Sequence, residues 1–280
     1  MDTSDTETLA ILDFYLEMGV DEVLAEAPQK HWRKPQTPAS GQHQHQQHQD
    51  TSVYKTPSQP YSPIEAGTLP PVNNHQQGVN DATTMAAKAS DLTELVALIE
   101  RFEGCPLKQD AKNTVVYDGI TDARILFLGE APGAQEDAMG KPFVGVSGQL
   151  LDEMIAFIGL SRQKNIMISN TVFWRPLANR TPSDGDVAIC LPFVRRIIAL
   201  LQPAVIVFVG GVALKALTGI NGITRNRGKW QTVENEGMSI PALPLFHPAY
   251  LLRQPAHKRE AWRDLLSLRE KLKELAVDFT

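Results

Sequence analysis

The chain has 280 residues, enough for one or two domains, and a formal net charge of −5. This acidic balance argues against a protein that coats nucleic acid in bulk, but it allows a local basic groove because tails can carry the acidic residues. Two cysteines, Cys105 and Cys190, are too few for a disulfide scaffold and predict a reducing compartment. With no membrane-length apolar run and no signal-peptide pattern, we expect a cytoplasmic protein without a membrane partner.

Residues 1–27 are expected to form an N-terminal helical segment. Between residues 5 and 26 the apolar residues recur three or four positions apart, which predicts one apolar face of a short helix. These residues are Leu9, Leu12, Leu16, Val20 and Val23. Because an isolated helix of this length is marginal, we expect it to dock either on the chain's own globular domain or on a protein partner.

From residue 28 to residue 90 the composition shifts to Gln, His, Pro and Ser with few apolar residues. Such a segment cannot bury enough apolar surface to offset the chain entropy that folding would cost. We therefore predict a disordered linker over residues 28–90. Three histidines in it, His43, His45 and His48, are interpreted as part of a solvated tract rather than as metal ligands.

A globular domain is expected over residues 91–280. Asp91 is typical of a helix N-cap, and the apolar residues that follow it have helical spacing. Residues 114–117 have the composition of a strand, which the turn-forming pair Asp118-Gly119 would end.

The stretch over residues 129–148, GEAPGAQEDAMGKPFVGVSG, organises this domain. An apolar run at 124–128 precedes it and an amphipathic segment at 149–155 follows it. A strand, a long loop rich in Gly and Pro, and then a helix are typical of a ligand site at the carboxyl end of a parallel strand. The loop lacks both the Walker A signature and the Gly-x-Gly-x-x-Gly spacing, so neither familiar phosphate-binding motif explains it.

The second half of the chain alternates apolar runs with amphipathic segments. We predict strands at 166–168, 204–209 and 241–246, helices near 147–158 and 212–217, a helix from Asp184 and a last helix at 257–275, with a basic loop at 223–230. This alternation predicts an α/β fold whose parallel sheet is covered by helices on both faces.

In such a sheet the loops at the carboxyl ends of the strands converge, which would bring together Glu130, Glu136, Phe143, Asn170 and His247. An aromatic ring can stack on a planar base, and an amide offers a donor and an acceptor together. A histidine can donate to an oxygen that gains negative charge, and a glutamate can orient water. Any one of these residues alone has a structural explanation, and it is their convergence that indicates a site.

Several motifs in this order resemble those of the family 4 uracil-DNA glycosylases. The matching segments are GEAPG at 129–133, Glu136-Asp137, GKPFVGVSGQLLD at 140–152, Ser169-Asn170, Arg175-Pro176, Asn179-Arg180 and HPAYLLR at 247–253. The resemblance covers about residues 92–272. It implies a three-layer α/β/α fold with a central, mainly four-stranded parallel sheet, and a monomeric enzyme that flips deoxyuridine out of single- or double-stranded DNA and releases uracil hydrolytically.

The resemblance also implies roles for the matching residues. Glu130 would position or activate water, and His247 would donate to uracil O2. The base would be held by the Ala131 backbone, by Glu136 beside C5, by the stacked Phe143 ring and by the Asn170 amide. DNA would be contacted by Arg175, by Leu251 or Leu252 as an apolar wedge, and by Arg253 at a phosphate. Alanine stands at 131 where family 1 enzymes have a catalytic aspartate, so water activation must come from Glu130 or be weak.

Family members usually bind a structural four-iron cluster through four cysteines. Cys105 and Cys190 match two of those positions, whereas Phe102 and Trp174 occupy the other two. Cluster ligation normally needs four thiolates, so we expect no metal and no cofactor here, with the [4Fe–4S] cluster as the alternative. The two aromatic side chains are expected to fill the volume of the cluster.

Six basic residues lie on loops that are expected at one rim of the sheet and predict a basic DNA-binding groove: Arg175, Arg180, Arg225, Arg227, Lys229 and Arg253. Two other functions stay open. The chain could bind uracil-containing DNA without turnover or trap it covalently, but trapping relatives carry a histidine in a region that corresponds to residues 217–230, where this chain has none. It could also be a nucleotide-binding module without catalysis.

Overall fold

A computed structural model of the chain describes residues 74–277. The helix expected at 5–26 and the part of the linker before residue 74 lie outside the described residues. Within residues 74–277, no helix is long and apolar enough to cross a membrane.

The described part of the chain is built on one six-stranded sheet, with the strand order β1-β3-β2-β4-β6-β5. The strands are β1 (Tyr117–Gly119), β2 (Ile125–Gly129), β3 (Ile166–Asn170), β4 (Val205–Val209), β5 (Gln231–Asn235) and β6 (Met238–Leu245). The four central strands are parallel, and β1 and β5 pair antiparallel at the two edges. The predicted α/β fold with a mainly four-stranded parallel sheet is therefore confirmed.

Helices cover both faces of this sheet. They are α1 (Asn74–Ala86), α2 (Leu92–Arg101), α3 (Ala134–Met139), α4 (Val146–Ala156), α5 (Asp184–Leu201), α6 (Gly211–Thr218), α7 (Ile223–Asn226), α8 (Pro248–Arg253) and α9 (Lys258–Glu274). In β2, Leu126 and Leu128 join a core with α1, α2, α5 and α6, while Ile125 and Phe127 join a second core with α4 and α9. Because side chains alternate across a strand, fully apolar strands supply both cores, as three layers require.

Several elements differ from the expectations, and one of them is helix α3, which lies within the predicted loop at 129–148. The predicted first strand at 114–117 overlaps β1 only at Tyr117, and the predicted basic loop contains α7. Strand β5 was not predicted, because its alternating burial gives only a weak apolar signal. It forms a hairpin with β6 through Glu236 and Gly237, which have φ values of 45° and 81°. Positive φ at both positions suits the tight turn of a hairpin.

The predicted linker extends too far, because residues 74–86 form helix α1, which packs on α5. Ala82, Ala86 and Ala89 are buried in that contact, and a Cβ on Gly78 would lie 2.7 Å from the Gly104 carbonyl oxygen. Small residues allow α1 to approach its neighbours closely. They also add few large apolar side chains to the sequence, so the segment does not stand out as part of a core. The exposed residues of α1 are polar, so the segment had the composition of a linker although its inner face is packed.

This packing separates the effects of two truncations. We expect deletion of residues 1–73 to leave the activity implied by the resemblance nearly unchanged, because none of the predicted site residues lies there. Deletion of 1–90 removes α1 and exposes the buried face of α5, and at about 25 cal/mol per Å² of apolar surface we expect a loss of a few kcal/mol of stability. Thermal unfolding and excision assays on both truncated proteins, beside the full chain, test this. Equal melting temperatures for the two truncations would contradict it.

Candidate active site

The residues predicted to converge do so at the carboxyl ends of β2, β3 and β6. A cavity of about 520 Å³ lies there, and eight of the predicted residues line it: Glu130, Ala131, Glu136, Phe143, Asn170, Arg180, His247 and Arg253. Glu130 follows β2, Asn170 ends β3, and His247 comes two residues after β6. This is the position at which open parallel sheets bind ligands.

Asn170 contributes a buried, unsatisfied acceptor to the cavity. Its side chain is only 1% exposed, and its Oδ1 atom has no hydrogen-bond partner among the described residues. The register of the sheet fixes its position, since Asn170 pairs with Gly129 across β2 and β3. A buried acceptor without a partner costs about 1–3 kcal/mol, so the site is prepared for a ligand that donates a hydrogen bond at this point.

The ring of Phe143 lies beside this amide. A Cβ added to Gly129 would approach both the Phe143 ring and Asn170 Oδ1 to 2.5 Å, so only glycine leaves room for the pair. The Phe143 ring also stacks on the His247 imidazole, with centroids 5.7 Å apart and an interplanar angle of 30°. The backbone of Phe143 is left-handed, with a φ of 53°. Such strain in a large residue costs about 1–3 kcal/mol and concentrates at functional sites.

Glu136 holds the loop together. Its Oε1 accepts hydrogen bonds from the amides of Val144 (3.0 Å) and Gly145 (2.8 Å), and its Oε2 accepts from the amide of Gly133 (3.1 Å). The carboxylate is buried and lines the cavity. Glu136 therefore has a structural function that the sequence did not reveal, in addition to its position at the wall of the cavity.

His247 is half-buried at the N-cap of α8, where its Nδ1 accepts a hydrogen bond from the amide of Ala249 (3.1 Å). Burial lowers the pKa of His247 to about 4, helped by the positive charge of Arg253 and opposed by Glu136. The imidazole is thus neutral at neutral pH. Because Nδ1 is an acceptor, the single proton lies on Nε2, which can donate to a ligand.

Glu130 is half-buried at the end of β2, and burial raises the pKa of its carboxyl above the ordinary value. Desolvation favours the neutral acid, so the ionised form is more basic than an exposed glutamate. A carboxylate with this property can orient water and take up its proton.

The DNA-facing predictions are partly corrected. Leu251 is fully buried against Phe246 and Ala261, so it is a core residue and cannot be the exposed wedge. Leu252 is half-buried, and Arg253 is exposed at the cavity. Of the two leucines, only Leu252 has solvent-exposed surface. Successive residues of a helix point in different directions, and the sequence did not show which of the two leucines points toward solvent.

The predicted basic rim is smaller than expected. Arg227 forms a partly buried ion pair with Asp264 of α9. Arg180 is exposed and lines the cavity, but its charge is paired with the buried Asp186, to which it donates at 3.0 Å. Arg175 donates to Asn179 Oδ1 at 2.7 Å and does not line the cavity. Three of the six cations, Arg225, Lys229 and Arg253, are exposed and have no ion pair with another residue of 74–277.

Tyr250 also lines the cavity, although the sequence analysis gave it no role. Its ring packs on Phe246 with centroids 4.8 Å apart. The sequence could have indicated this position. Tyr250 lies three residues after His247, the N-cap of α8, and residues three apart share one face of a helix.

The residues at the expected cluster position do not fit a four-iron cluster. The thiols of Cys105 and Cys190 are buried, and burial raises the pKa of Cys190 well above its ordinary value. Phe102 and Trp174 are buried with ring centroids 6.2 Å apart, and Trp174 Nε1 donates to Thr114 Oγ1. Nowhere in residues 74–277 do three or more His, Cys, Asp or Glu side chains form a metal-binding group.

Comparison with known proteins agrees with this geometry. The model of the uracil DNA glycosylase superfamily matches residues 116–266. A type-4 uracil-DNA glycosylase of Pyrobaculum aerophilum is 37% identical over 180 residues, which are 62% of this chain and 91% of the relative. Type-4 uracil-DNA glycosylases of Saccharolobus solfataricus and Thermotoga maritima are 35% and 36% identical, over 62% and 60% of this chain and 83% and 87% of each relative.

The matched region contains all six strands and every residue of the cavity named above. The relatives are matched over most of their own length, so the similarity concerns the whole domain rather than a single motif. The chain therefore belongs to the type-4 family of the uracil-DNA glycosylase superfamily.

Proposed function

We propose that the protein is a DNA-repair glycosylase that hydrolyses the N-glycosidic bond of deoxyuridine in DNA and releases uracil. The observation that carries this proposal is the buried, unpaired Oδ1 of Asn170 beside the Phe143 ring. Uracil supplies what the site lacks, since its N3–H can donate to Oδ1 while its O4 accepts from the amide nitrogen. Cytosine has an unprotonated N3, so it would leave Oδ1 without a donor there.

The target nucleotide must leave the helix to reach such a cavity. Flipping costs a few kcal/mol of stacking and pairing energy. Stacking of the extracted base on Phe143 recovers part of this cost. We propose that Leu252 enters the vacated position as an apolar wedge and that Arg253, with Arg175, contacts the phosphates. The exposure of Arg253 at the cavity supports its part in this assignment.

In the chemical step the C1′–N1 bond breaks and its electron pair leaves with the uracil. His247 stabilises the departing uracil anion by donating a hydrogen bond from Nε2 to O2. The neutral imidazole can do this without transferring its proton to the uracil. A water molecule oriented by Glu130 forms the new C1′–O bond and gives its proton to the carboxylate. The raised pKa of Glu130 supports this role, since a more basic carboxylate accepts the proton more readily.

Base selection is assigned to three features of the cavity. Asn170 reads the N3–C4 edge, and the Ala131 backbone binds a base carbonyl. Glu136 and the loop that it ties together face C5, where they would exclude the methyl group of thymine. The three hydrogen bonds that fix the Glu136 carboxylate support this assignment, because a rigid wall discriminates by size better than a mobile one.

A single assay separates this function from the alternatives. A labelled oligonucleotide with one uracil is incubated with the protein, treated with alkali and separated on a denaturing gel. Hydrolysis gives a cleaved strand, covalent trapping gives a shifted species, and a non-catalytic nucleotide-binding module leaves the strand intact. An intact strand in both single- and double-stranded DNA would overturn the proposal.

The exposed cations predict a moderate dependence of DNA binding on salt. Each phosphate contact contributes a slope of about −0.9 in log K against log salt for duplex DNA. We expect Arg253→Ala to make the measured slope shallower by about one, because it removes one such contact. Fluorescence-anisotropy titrations at several salt concentrations measure the slope. Lys88→Ala, on the turn after α1, is the control and should leave it unchanged. An unaltered slope for Arg253→Ala would remove this residue from the DNA interface.

We further propose that the protein folds and acts as a monomer without an iron–sulfur cluster in a reducing cytoplasm. Four aromatic rings, those of Phe102, Phe173, Trp174 and Phe193, pack on one another in the core cluster that also contains the two cysteines. This packing supports the proposal that aromatic side chains replace the cluster. Aromatic contacts of this kind stabilise a core by filling volume. Two buried, unoxidised cysteines are compatible with a reducing compartment.

The absence of a cluster can be tested directly. We expect protein purified without oxygen to be colourless, to contain iron far below stoichiometric amounts and to excise uracil. Iron analysis and a visible spectrum on the same active sample test this, with Cys190→Ala as a companion variant that should keep its activity. Stoichiometric iron with broad visible absorption would contradict it.

A further inference from the structure

A buried arginine outside the cavity contacts the loop that carries Phe143. Arg162 is 8% exposed and lies before β3. A guanidinium has five N–H donors in a fixed planar arrangement, and five hydrogen bonds are formed here. Nε and Nη2 donate to Asp152 Oδ1 at 3.0 and 2.9 Å, and Nη1 donates to Asp118 Oδ2 at 3.0 Å. The other two donors reach the carbonyl oxygens of Pro142 (3.0 Å) and Phe143 (2.8 Å).

Those two carbonyls flank the strained residue of the site. Phe143 is a large side chain with a φ of 53°, a conformation that persists only where the surroundings enforce it. On its other side the loop is confined by α4, because a Cβ on Gly148 would lie 2.0 Å from the Phe143 carbonyl oxygen. The carbonyl of Phe143 is therefore fixed between the first turn of α4 and the guanidinium of Arg162.

The guanidinium is itself fixed by two separate elements. Asp118 belongs to the edge strand β1, and Asp152 belongs to α4. Both carboxylates offset the charge of Arg162, which makes its burial possible. Arg162 thus links the sheet and one helix layer to the backbone of the loop. A lysine could keep the charge but could not make these divergent contacts together.

We propose that Arg162 is a positioning residue that fixes the Phe143 ring where it stacks on the base. This inference rests on the proposed function. It assigns to Arg162 no contact with DNA or uracil, and it makes Asp118 and Asp152 supports of the same loop. A ring held in advance loses less freedom when the base arrives, and small displacements of a positioned group are costly to catalysis.

The test is a double-mutant cycle between Arg162 and the ring of Phe143. It uses the single variants Arg162→Lys, Arg162→Met and Phe143→Ala, and the two double variants that combine a change at Arg162 with Phe143→Ala. Single-turnover excision, inhibition by free uracil and thermal unfolding are measured for each protein. We expect either change at Arg162 to slow excision by about tenfold to a hundredfold and to weaken inhibition by uracil. With Phe143 already replaced, the same changes should slow excision less than about twofold, because no ring is left to position.

Arg196→Met is the matched control. Arg196 is also partly buried and donates to a backbone carbonyl, that of Ala89, and to Glu236, but on the α1 and α5 side of the sheet. We expect it to lower the melting temperature and leave excision within about twofold, as a change away from the site should.

Two outcomes would overturn the inference: equal effects of the Arg162 changes with and without the Phe143 ring, or a loss of excision in Arg196→Met as large as in Arg162→Met. If Arg162→Met does not fold, Arg162→Lys, which keeps the charge, carries the cycle alone. A wild-type protein that does not excise uracil would instead contradict the proposed function, so the two failures are distinguishable.

Discussion

Replacement of Asn170 by aspartate is expected to slow uracil excision by about a thousandfold, since a site built around specific hydrogen bonds tolerates their loss poorly. The change removes the amide donor to uracil O4 and puts an anionic oxygen against that acceptor. It also introduces a charge at a position that is 1% exposed. Oδ1 is retained and can still accept from N3–H, so the loss comes from the O4 side, where an oxygen replaces the amide nitrogen. Single-turnover excision from a uracil-containing duplex measures the effect.

The same variant should shift base preference toward cytosine. The amino group of cytosine can donate to the new carboxylate, so weak release of cytosine is expected where the native protein releases none. Asn179→Asp is the matched control, because Asn179 lines the same cavity but its Oδ1 already accepts from Arg175. We expect that control to change uracil excision only a few-fold, as surface changes usually do. Unchanged uracil kinetics in Asn170→Asp would exclude Asn170 from base recognition.

The central sheet and the convergence of the site could be predicted because their signals are local and strong. Residues 204–209 form an uninterrupted apolar run and became β4, buried along its whole length. Glu130, Asn170 and His247 each directly follow or end such a run, so the rule for parallel sheets was enough to place them together. Asp91 was also predicted correctly as an N-cap, and its side chain accepts a hydrogen bond from the amide of Glu94.

The features that were missed depend on contacts between distant residues. The composition around residues 74–86 gave no indication that Ala82 and Ala86 would pack on α5. Arg227 looked like a DNA contact until the fold brought it to Asp264, 37 positions away in sequence. Arg162 carried no motif at all, since its function depends on carbonyl oxygens of a loop about twenty residues earlier. Side-chain pairing over such separations is decided by topology, which periodicity and composition do not encode.

The rate of uracil excision is expected to fall as the pH is lowered, and the group responsible is Glu130. Burial raises the pKa of Glu130, so its carboxylate is protonated at a higher pH than an exposed glutamate and stops accepting the proton of water. His247 titrates in the same direction only at about pH 4, because its lowered pKa keeps the imidazole neutral above that value. Single-turnover rates from pH 4.5 to pH 8 should therefore show one acid limb with a midpoint above the ordinary glutamate pKa of about 4.3.

Two variants identify the group whose protonation causes this fall in rate at low pH. Glu130→Gln should lower the plateau rate by about a hundredfold, within the range of general-base contributions, and should give a flat profile because the carboxylate that accepts the proton of water has been removed. His247→Gln should also be slow, since the donor to O2 is displaced, but it should keep the acid limb of the native protein. A Glu130→Gln profile that still falls with decreasing pH would assign the limb to another group, and Glu130 would then be left with the orientation of water as its only possible role.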